Sequence, residues 1–541
     1  MLFNSPEFVG FFIFVYALYL LLPFRPQNYM LLVASYVFYG WWDTRFLFLV
    51  VISTTVDFWI GLTLARRTLT RRQILLPAAI LSAAAFTLLF ILPNTLGGHA
   101  TYNRSTAAGS FSISTISLGL LIFFAFAFLL YVLQKDLKES SRRRLCLTTS
   151  VCAQLGLLGF FKYYNFFIDS MTALLGRAGF DPAAWHLDII LPVGISFYTF
   201  QSLSYTVDVY RRVLKPTEKY FDFALFVAYF PQLQAGPIER ARHLIPQLSN
   251  PRSLSVEATT RGLFLVVLGF FKKVGIADGV APVVDRIYNS TGYVSWGDVC
   301  VATVLFAIQI YCDFSGYTDI ARGISKMLGI DLMRNFNLPY FSTNPQEFWR
   351  RWHISLSSWL RDYLYIPIGG SQGTLLYTCR NLMITMLLGG LWHGAAWNFV
   401  FWGAYQGILL CIYRIWRTVR PNGTEQSFDL SMVFLIPGFF VLTCYGWLLF
   451  RAKSFDQIAT FTSILFSRFG ELSYSGGAPR FSAIVGIVVL LCVELAEYAT
   501  HNDKIYQRFT VQIQGLLVAV FLFIIGMGMS NEPAQFIYFQ F

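Results

Sequence analysis

Long apolar stretches recur along almost the whole chain and are separated by short polar connections. Most of them approach the length of about 20 residues that an α-helix needs to cross a bilayer. They predict an all-α polytopic membrane protein with roughly 11–14 transmembrane helices, together with shorter re-entrant or interfacial helices. The stretches cover residues 8–24, 29–42, 46–65, 74–93, 112–133, 145–167, 188–204, 262–284, 301–314, 381–401, 403–416, 431–450, 482–497 and 514–529.

Composition excludes a soluble globular protein. Hydrophobic residues make up 56% of the 541 residues and charged residues only 13%, with a mean hydropathy of +0.55. The net charge of +12 comes from basic residues in the connections between apolar stretches, such as Arg142–Arg144 and Arg211–Arg212. The positive-inside rule predicts cytoplasmic connections there, so the charge indicates membrane topology rather than nucleic-acid binding.

The potential metal ligands follow no recognisable spacing. Eight cysteines are scattered through the chain without a CxxC pair, and the six histidines form no HExxH motif. We therefore expect no metal site.

Polar residues interrupt the apolar pattern between about 191 and 407. Residues 231–240 (PQLQAGPIER) contain two prolines and a glycine, which predict a re-entrant or interfacial turn, or else an ordinary loop between spans.

Further on, Gln309, Asp313 and Tyr317 share one helical face at four-residue steps. A buried carboxylate needs a partner, and Arg322 is the local candidate for Asp319. Structural ion pairing is favoured over direct catalysis for these carboxylates.

Residues 346–363 predict one amphipathic helix. At 100° per residue, its aromatic and apolar side chains fall on one arc and its charged side chains on the other. Trp352 and His353 lie on the aromatic arc. We therefore expect the His353 imidazole to point into the protein.

A second buried histidine, His393, lies in the stretch 388–397 (LGGLWHGAAW). Apolar surroundings favour the neutral imidazole, which can accept a proton from a hydroxyl group. The alternative is a structural histidine bonded to a carbonyl between packed helices. Trp397 is predicted one helical turn beyond His393. Further candidates to line a cavity are Trp392, Asn398, Trp402 and Gln406. Because no GxSxG-type nucleophile motif is present, a transfer in which the substrate supplies the nucleophile fits best.

Six segments together resemble the membrane-bound O-acyltransferase (MBOAT) family, and within it the bacterial polysaccharide acetylation proteins. They are 231–240, 311–319 (YCDFSGYTD), 335–342 (NFNLPYFS), 344–357 (NPQEFWRRWHISLS), 388–397 and 536–541 (FIYFQF). The resemblance implies one membrane domain over 1–541, with N-terminal helices at 1–190, a catalytic core at 191–410 and C-terminal helices at 411–541. It also implies a ring of helices around a central funnel and tunnel.

The resemblance assigns His393 and His353 as catalytic residues. From the polar and aromatic pattern described above, the residues expected to line the tunnel are Trp392, Trp397, Asn398, Asp313, Gln309, Tyr317 and Trp352. Acetyl-CoA or another acyl thioester is the expected donor substrate, with no permanently bound cofactor. His393 is expected to deprotonate the acceptor hydroxyl, while Trp392 or Asn398 stabilises the developing oxyanion.

The resemblance also implies a place in the cell and a partner. The expected location is the cytoplasmic (inner) membrane, and the final acceptor an extracellular polysaccharide such as alginate. The resemblance implies a periplasmic or extracellular hydrolase-fold acetyltransferase as partner. The connections of this chain, far below the roughly 100 residues of a domain, agree with a separate chain. Two alternatives stay open: D-alanyl transfer to teichoic acid, and a transporter or channel in which the histidines relay protons.

Overall fold

A computed structural model describes residues 1–66, 69–86, 137–176, 185–187, 189–234, 236–420, 432–502, 508–530 and 536–537. The predicted all-α class is confirmed, since the regular elements in these ranges are helices. Seven helices here are long and apolar enough to cross a membrane, and Pro6–Leu21 is a shorter apolar helix. The predicted stretch at 112–133 lies outside the described residues, and the total of 11–14 spans stays a prediction.

The chain forms two compact units. The first comprises Met1, Phe11–Gln234 and Glu239–Arg252, and the second Leu2–Gly10, Ala235–Ile238 and Ser253–Phe541. The sequence-based division of one domain at residues 190 and 410 stays a prediction.

The helices up to residue 252 are α1 (Pro6–Leu21), α2 (Phe24–Gly40), α3 (Leu47–Ala65), α4 (Arg71–Phe86), α5 (Glu139–Leu158), α6 (Tyr164–Leu175), α7 (Ile195–Tyr210), α8 (Tyr220–Ala228), α9 (Phe230–Leu233) and α10 (Ala241–Ser249). The later helices are α11 (Val256–Phe270), α12 (Asp278–Tyr288), α13 (Trp296–Met327), α14 (Pro345–Arg351), α15 (Ile354–Leu360), α16 (Leu375–His393), α17 (Trp397–Val419), α18 (Met432–Arg451), α19 (Phe455–Ser467), α20 (Phe481–Thr500) and α21 (Val511–Gly528). The motif at 231–240 leaves the helical conformation after Leu233, as the prolines and glycine predicted.

A buried carboxylate joins three helices of the first unit. Asp57 on α3 is fully buried. Its oxygens accept hydrogen bonds from Ser150 at 2.5 Å, Gln154 at 2.7 Å and Thr206 at 3.2 Å, which lie on α5 and α7. Because these donors have left water, the Asp57 carboxylate stabilises the packing of all three helices.

Replacing Asp57 by alanine should lower the free energy of unfolding by at least about 1–3 kcal/mol, since buried donors lose their acceptor. The measurement is thermal unfolding of the detergent-solubilised protein. Asp169→Ala is the matched control, because the Asp169 side chain is 67% exposed. If both variants unfold at the same temperature as the wild type, the hydrogen-bond cluster around Asp57 has no structural role.

The second unit contains a close contact between two helix backbones, followed by a π-helical segment. A Cβ added to Gly316 on α13 would lie 2.7 Å from the carbonyl oxygen of Gly269 on α11, so only glycine permits this approach. Residues Phe271–Ala277 then form a π-helical segment between α11 and α12. The predicted apolar stretch 262–284 is therefore not one uniform helix. The π-helical segment directs Lys272 and Lys273 into the buried part of the unit.

Candidate active site

His393 is the last residue of α16, where a tight helical hairpin begins. Gly394 adopts an extended conformation, and α17 begins at Trp397. The predicted continuous helical turn from His393 to Trp397 is therefore wrong. The Trp397 side chain is 53% exposed, whereas His393 retains only 5% exposure. The hairpin thus buries the histidine and leaves Trp397 at the start of the returning helix.

Glycines allow α16 and α17 to pack backbone to backbone. A Cβ at Gly390 would meet the Phe399 carbonyl oxygen and lie 3.1 Å from the Gly403 Cα. Neither backbone group can move aside as the end of a flexible side chain can. This contact places His393, one turn further along α16, against α17.

The Gly390→Ala substitution should therefore cost about 1–3 kcal/mol of stability through overpacking. Gly438→Ala on α18 is the control, because a Cβ there meets nothing within 4 Å. Thermal unfolding of both variants checks the difference. A Gly390→Ala variant as stable as Gly438→Ala would mean that the two helices can separate freely.

His353 lies at a break between two short helices. The predicted single helix over 346–363 is wrong, because α14 ends at Arg351 and α15 starts at Ile354. His353 itself has a φ of 41°, which L-residues rarely adopt. Asn335 supports the break: its carbonyl oxygen accepts from the Ile354 N–H at 2.9 Å, and its side-chain oxygen from the Ser355 N–H at 3.1 Å. The strained conformation turns the imidazole inward.

The two imidazoles lie next to each other. Their ring centroids are 6.5 Å apart at an interplanar angle of 65°. This separation is too large for a direct hydrogen bond between the rings. His353 is fully buried, and His393 keeps slight exposure. His393 is therefore the more accessible of the two.

Aromatic rings enclose both histidines. Phe314 and Trp392 present their rings to His353 at centroid distances of 4.7 and 6.0 Å. Trp402 and Phe450 contact His393 at 5.1 and 5.4 Å, nearly perpendicular to its ring. Such surroundings remove hydration from a charged imidazolium.

The protonation of His353 follows from this burial. The residue lies outside the seven candidate spans, and desolvation lowers its pKa to about 3. The ring is therefore neutral at physiological pH. A neutral imidazole has one donor nitrogen and one acceptor nitrogen, as proton transfer requires.

The predicted polar stripe lies on α13, the helix whose Phe314 contacts His353. Gln309, Asp313 and Tyr317 are all buried. Asp313 pairs with the Lys273 ammonium at 2.6 Å, and its second oxygen accepts from the Ile537 N–H at 2.6 Å. The Tyr317 ring stacks on Phe3 at 4.5 Å. Ion pairing was the favoured prediction for Asp313 and Asp319, and Asp313 makes such a pair.

The remaining predicted residues have identifiable contacts. Asp319 contacts Arg322 at 3.2 Å, as expected, and also Lys272 at 2.8 Å. Trp352 is buried, with its ring centroid 4.7 Å from that of Trp447. Asn398 donates to the Ala452 carbonyl at 2.9 Å and so ties α17 to the end of α18. A tunnel-lining role for these residues stays a prediction.

Sequence reasoning did not select the Lys273–Asp278 ion pair, and it named Trp402 as a cavity residue without predicting its contact with His393. Lys273 and Asp278 lie in the apolar stretch 262–284, so hydropathy did not single them out. The adjacent Lys272 and Lys273 could have indicated buried ion pairs in this stretch. Trp402 contacts His393 because the hairpin folds back, a contact that helical periodicity alone does not predict. The Trp402 indole N–H is buried and has no hydrogen-bond acceptor in the described part of the chain.

Comparison with known proteins identifies the family of this chain. Residues 112–453 match the membrane-bound O-acyltransferase family. The chain is 38% identical over 508 residues to the probable alginate O-acetylase AlgI of Azotobacter vinelandii, covering 92% of this chain and 85% of that protein.

More distant relatives share shorter regions. Identity is 36% to the peptidoglycan O-acetyltransferase of Helicobacter pylori, over 59% of this chain and 64% of that protein. It is 25% to the teichoic acid D-alanyltransferase of Bacillus subtilis, over 50% of this chain and 71% of that protein. With its apolar helices, this chain is therefore a multi-pass membrane O-acyltransferase that belongs to the membrane-bound O-acyltransferase family.

Proposed function

We propose that the protein transfers an acetyl group from acetyl-CoA on the cytoplasmic side of the inner membrane, for O-acetylation of an extracellular polysaccharide such as alginate. The observation that carries the proposal is the buried pair of His393 and His353 inside an aromatic cluster. The names of the alginate and peptidoglycan relatives support acetyl as the group and a polysaccharide as the final acceptor.

His393 acts as the general base. Its neutral ring takes the proton from the acceptor hydroxyl as the oxygen attacks the thioester carbonyl. The new C–O bond forms, the C–S bond breaks, and the thiolate of CoA leaves and takes up the proton from His393. Base and substrate nucleophile together therefore suffice, and no covalent intermediate on a serine or cysteine is required.

Trp402 and His353 support this step in different ways. The buried Trp402 indole N–H lies in a ring 5.1 Å from His393 and donates to the thioester carbonyl oxygen as negative charge develops. His353 is enclosed more completely and positions the His393 ring and Trp392. Asn398 is assigned no oxyanion role, because its amide already donates to the backbone.

The immediate acceptor belongs to a partner. A hydrolase-fold acetyltransferase outside the membrane receives the acetyl group and places it on the polymer. The short connections in the sequence support a separate chain for this task.

The donor is tested with the purified protein in lipid vesicles. Acetyl-CoA or a D-alanyl carrier-protein thioester is supplied, and thiol release is measured with and without a hydroxyl acceptor. Acceptor-dependent release from acetyl-CoA alone supports the proposal. Turnover of the D-alanyl thioester alone assigns the protein to teichoic acid chemistry instead. Solute flux across the vesicles without turnover of either donor favours the transporter alternative.

A further inference from the structure

An arginine-lined cavity lies in the first unit, far along the chain from the histidine pair. Its volume is about 510 Å³, and it opens between the start of α5 and the end of α7. This is large enough for a phosphorylated group. The side chains that define its charge are Arg143, Arg144, Arg211, Arg212 and Glu139.

Arg143 forms the fixed wall of this cavity. Its guanidinium donates to the Leu64 carbonyl at 2.6 Å and to the Tyr210 carbonyl, and it lies 5.5 Å from the centroid of the Tyr210 ring. These contacts hold the ends of α3 and α7 against α5. Arg143 is therefore part of the framework of the cavity.

Arg212 pairs with Glu139, the acidic residue among the described residues that line the cavity. Its backbone has a φ of 62°, a left-handed conformation that is costly for a residue other than glycine. From this position its side chain reaches the Glu139 carboxylate at 3.0 Å. With Glu139 engaged, the charge of the remaining lining is positive.

The start of α5 adds to this positive field. The residue before the helix, Lys138, makes no side-chain capping hydrogen bond, and Ser140 in the first turn lines the cavity. The first N–H groups of the helix carry partial positive charge. Arginine forks match the geometry of phosphate oxygens.

We propose that this arginine-lined cavity binds the phosphate groups of an anionic ligand. The source is either the headgroup of an anionic phospholipid or a soluble phosphorylated compound. Its place at the start of α5, which begins a candidate membrane span, and in connections predicted to face the cytoplasm suits both sources. The proposal does not depend on the acetyl donor or on the histidine chemistry.

The test uses the full-length protein in two settings. In detergent, pyrophosphate binding is titrated at low ionic strength. In nanodiscs, thermal unfolding is compared between phosphatidylcholine alone and phosphatidylcholine mixed with phosphatidylglycerol. The test variant is Arg144→Gln/Arg211→Gln, and Arg143 is left intact because it holds helix ends. The control, Arg71→Gln/Arg72→Gln, removes the same charge from exposed positions outside the cavity.

The expected result is that the test variant binds pyrophosphate roughly tenfold more weakly than the control, or loses its stabilisation by phosphatidylglycerol. A difference with pyrophosphate identifies a site open to soluble phosphates. A difference only with phosphatidylglycerol identifies a lipid headgroup site. The proposal is overturned if neither ligand distinguishes the two double variants, because general surface charge then accounts for all binding.

Discussion

Replacing His393 by alanine is expected to reduce acetyl transfer by about 10²–10⁴-fold, which is the usual contribution of a general base. The ring lies against Trp402 and Phe450, which carry no basic nitrogen, and beside His353, which is fully buried, so none of these neighbours replaces its accessible acceptor nitrogen. The measurement is the acetyl ester content of the extracellular polymer in cells that carry only the variant. Thiol release from acetyl-CoA by the purified variant should fall in parallel.

Two further variants separate lost chemistry from lost structure. His393→Gln keeps most of the volume in the aromatic cluster, so it should fold like the wild type and be equally inactive. His186→Ala removes a histidine whose side chain is 46% exposed and should leave transfer unchanged. Polymer that remains fully acetylated with His393→Gln would remove His393 from the mechanism. A loss of activity that appears only together with loss of the folded protein would leave the ring with a structural role.

The pattern of apolar and polar positions predicted the helical class, the burial of His393 in an apolar stretch and the inward orientation of His353 on the aromatic arc. It could do so because burial of an aromatic or apolar arc depends on neighbours three and four residues apart. The same reasoning correctly paired Asp319 with Arg322, which lie one turn apart on α13. Predictions of this kind need only local geometry.

Helical periodicity gave wrong predictions at positions where tertiary contacts, rather than local helix preference, determine the backbone conformation. Nothing within 346–363 indicates a break at His353, because the supporting hydrogen bonds come from Asn335, well upstream in the chain. The turn after His393 likewise depends on the approach of Gly390 to Phe399, which requires two packed helices. Both misjudged positions are at the candidate site, where strained or irregular backbone concentrates.

Replacing Lys273 should lower the free energy of unfolding more than the other substitutions proposed for this protein. The residue lies in a mostly apolar stretch, so hydropathy did not single it out. Lys273 lies 2.6 Å from Asp313 and 2.9 Å from Asp278, and all three side chains are buried. Lys273→Ala leaves two carboxylates close together without their shared cation. Breaking a buried ion pair from one side costs about 3–5 kcal/mol, so we expect a large fall in the thermal midpoint of unfolding.

A surface pair provides the control. Lys326 contacts Asp331 at 2.6 Å, but the Asp331 side chain is 68% exposed. Lys326→Ala should therefore change the free energy of unfolding by no more than about 1 kcal/mol. Equal melting of Lys273→Ala and Lys326→Ala would contradict the assignment of a buried, charge-dependent cluster.

A variant in which Lys273, Asp278 and Asp313 are all replaced by neutral residues tests whether unpaired charge causes the loss of stability. In the triple variant Lys273→Met/Asp278→Asn/Asp313→Asn, no buried charge is left unpaired, and the amide oxygen at 313 can still accept from the Ile537 N–H. Most of the stability lost in Lys273→Ala should return, since neutral replacements of buried ion pairs are often tolerated. If the triple variant melts as early as the single one, the ammonium stabilises this unit through more than charge balance, and its contacts with both carboxylates are individually required.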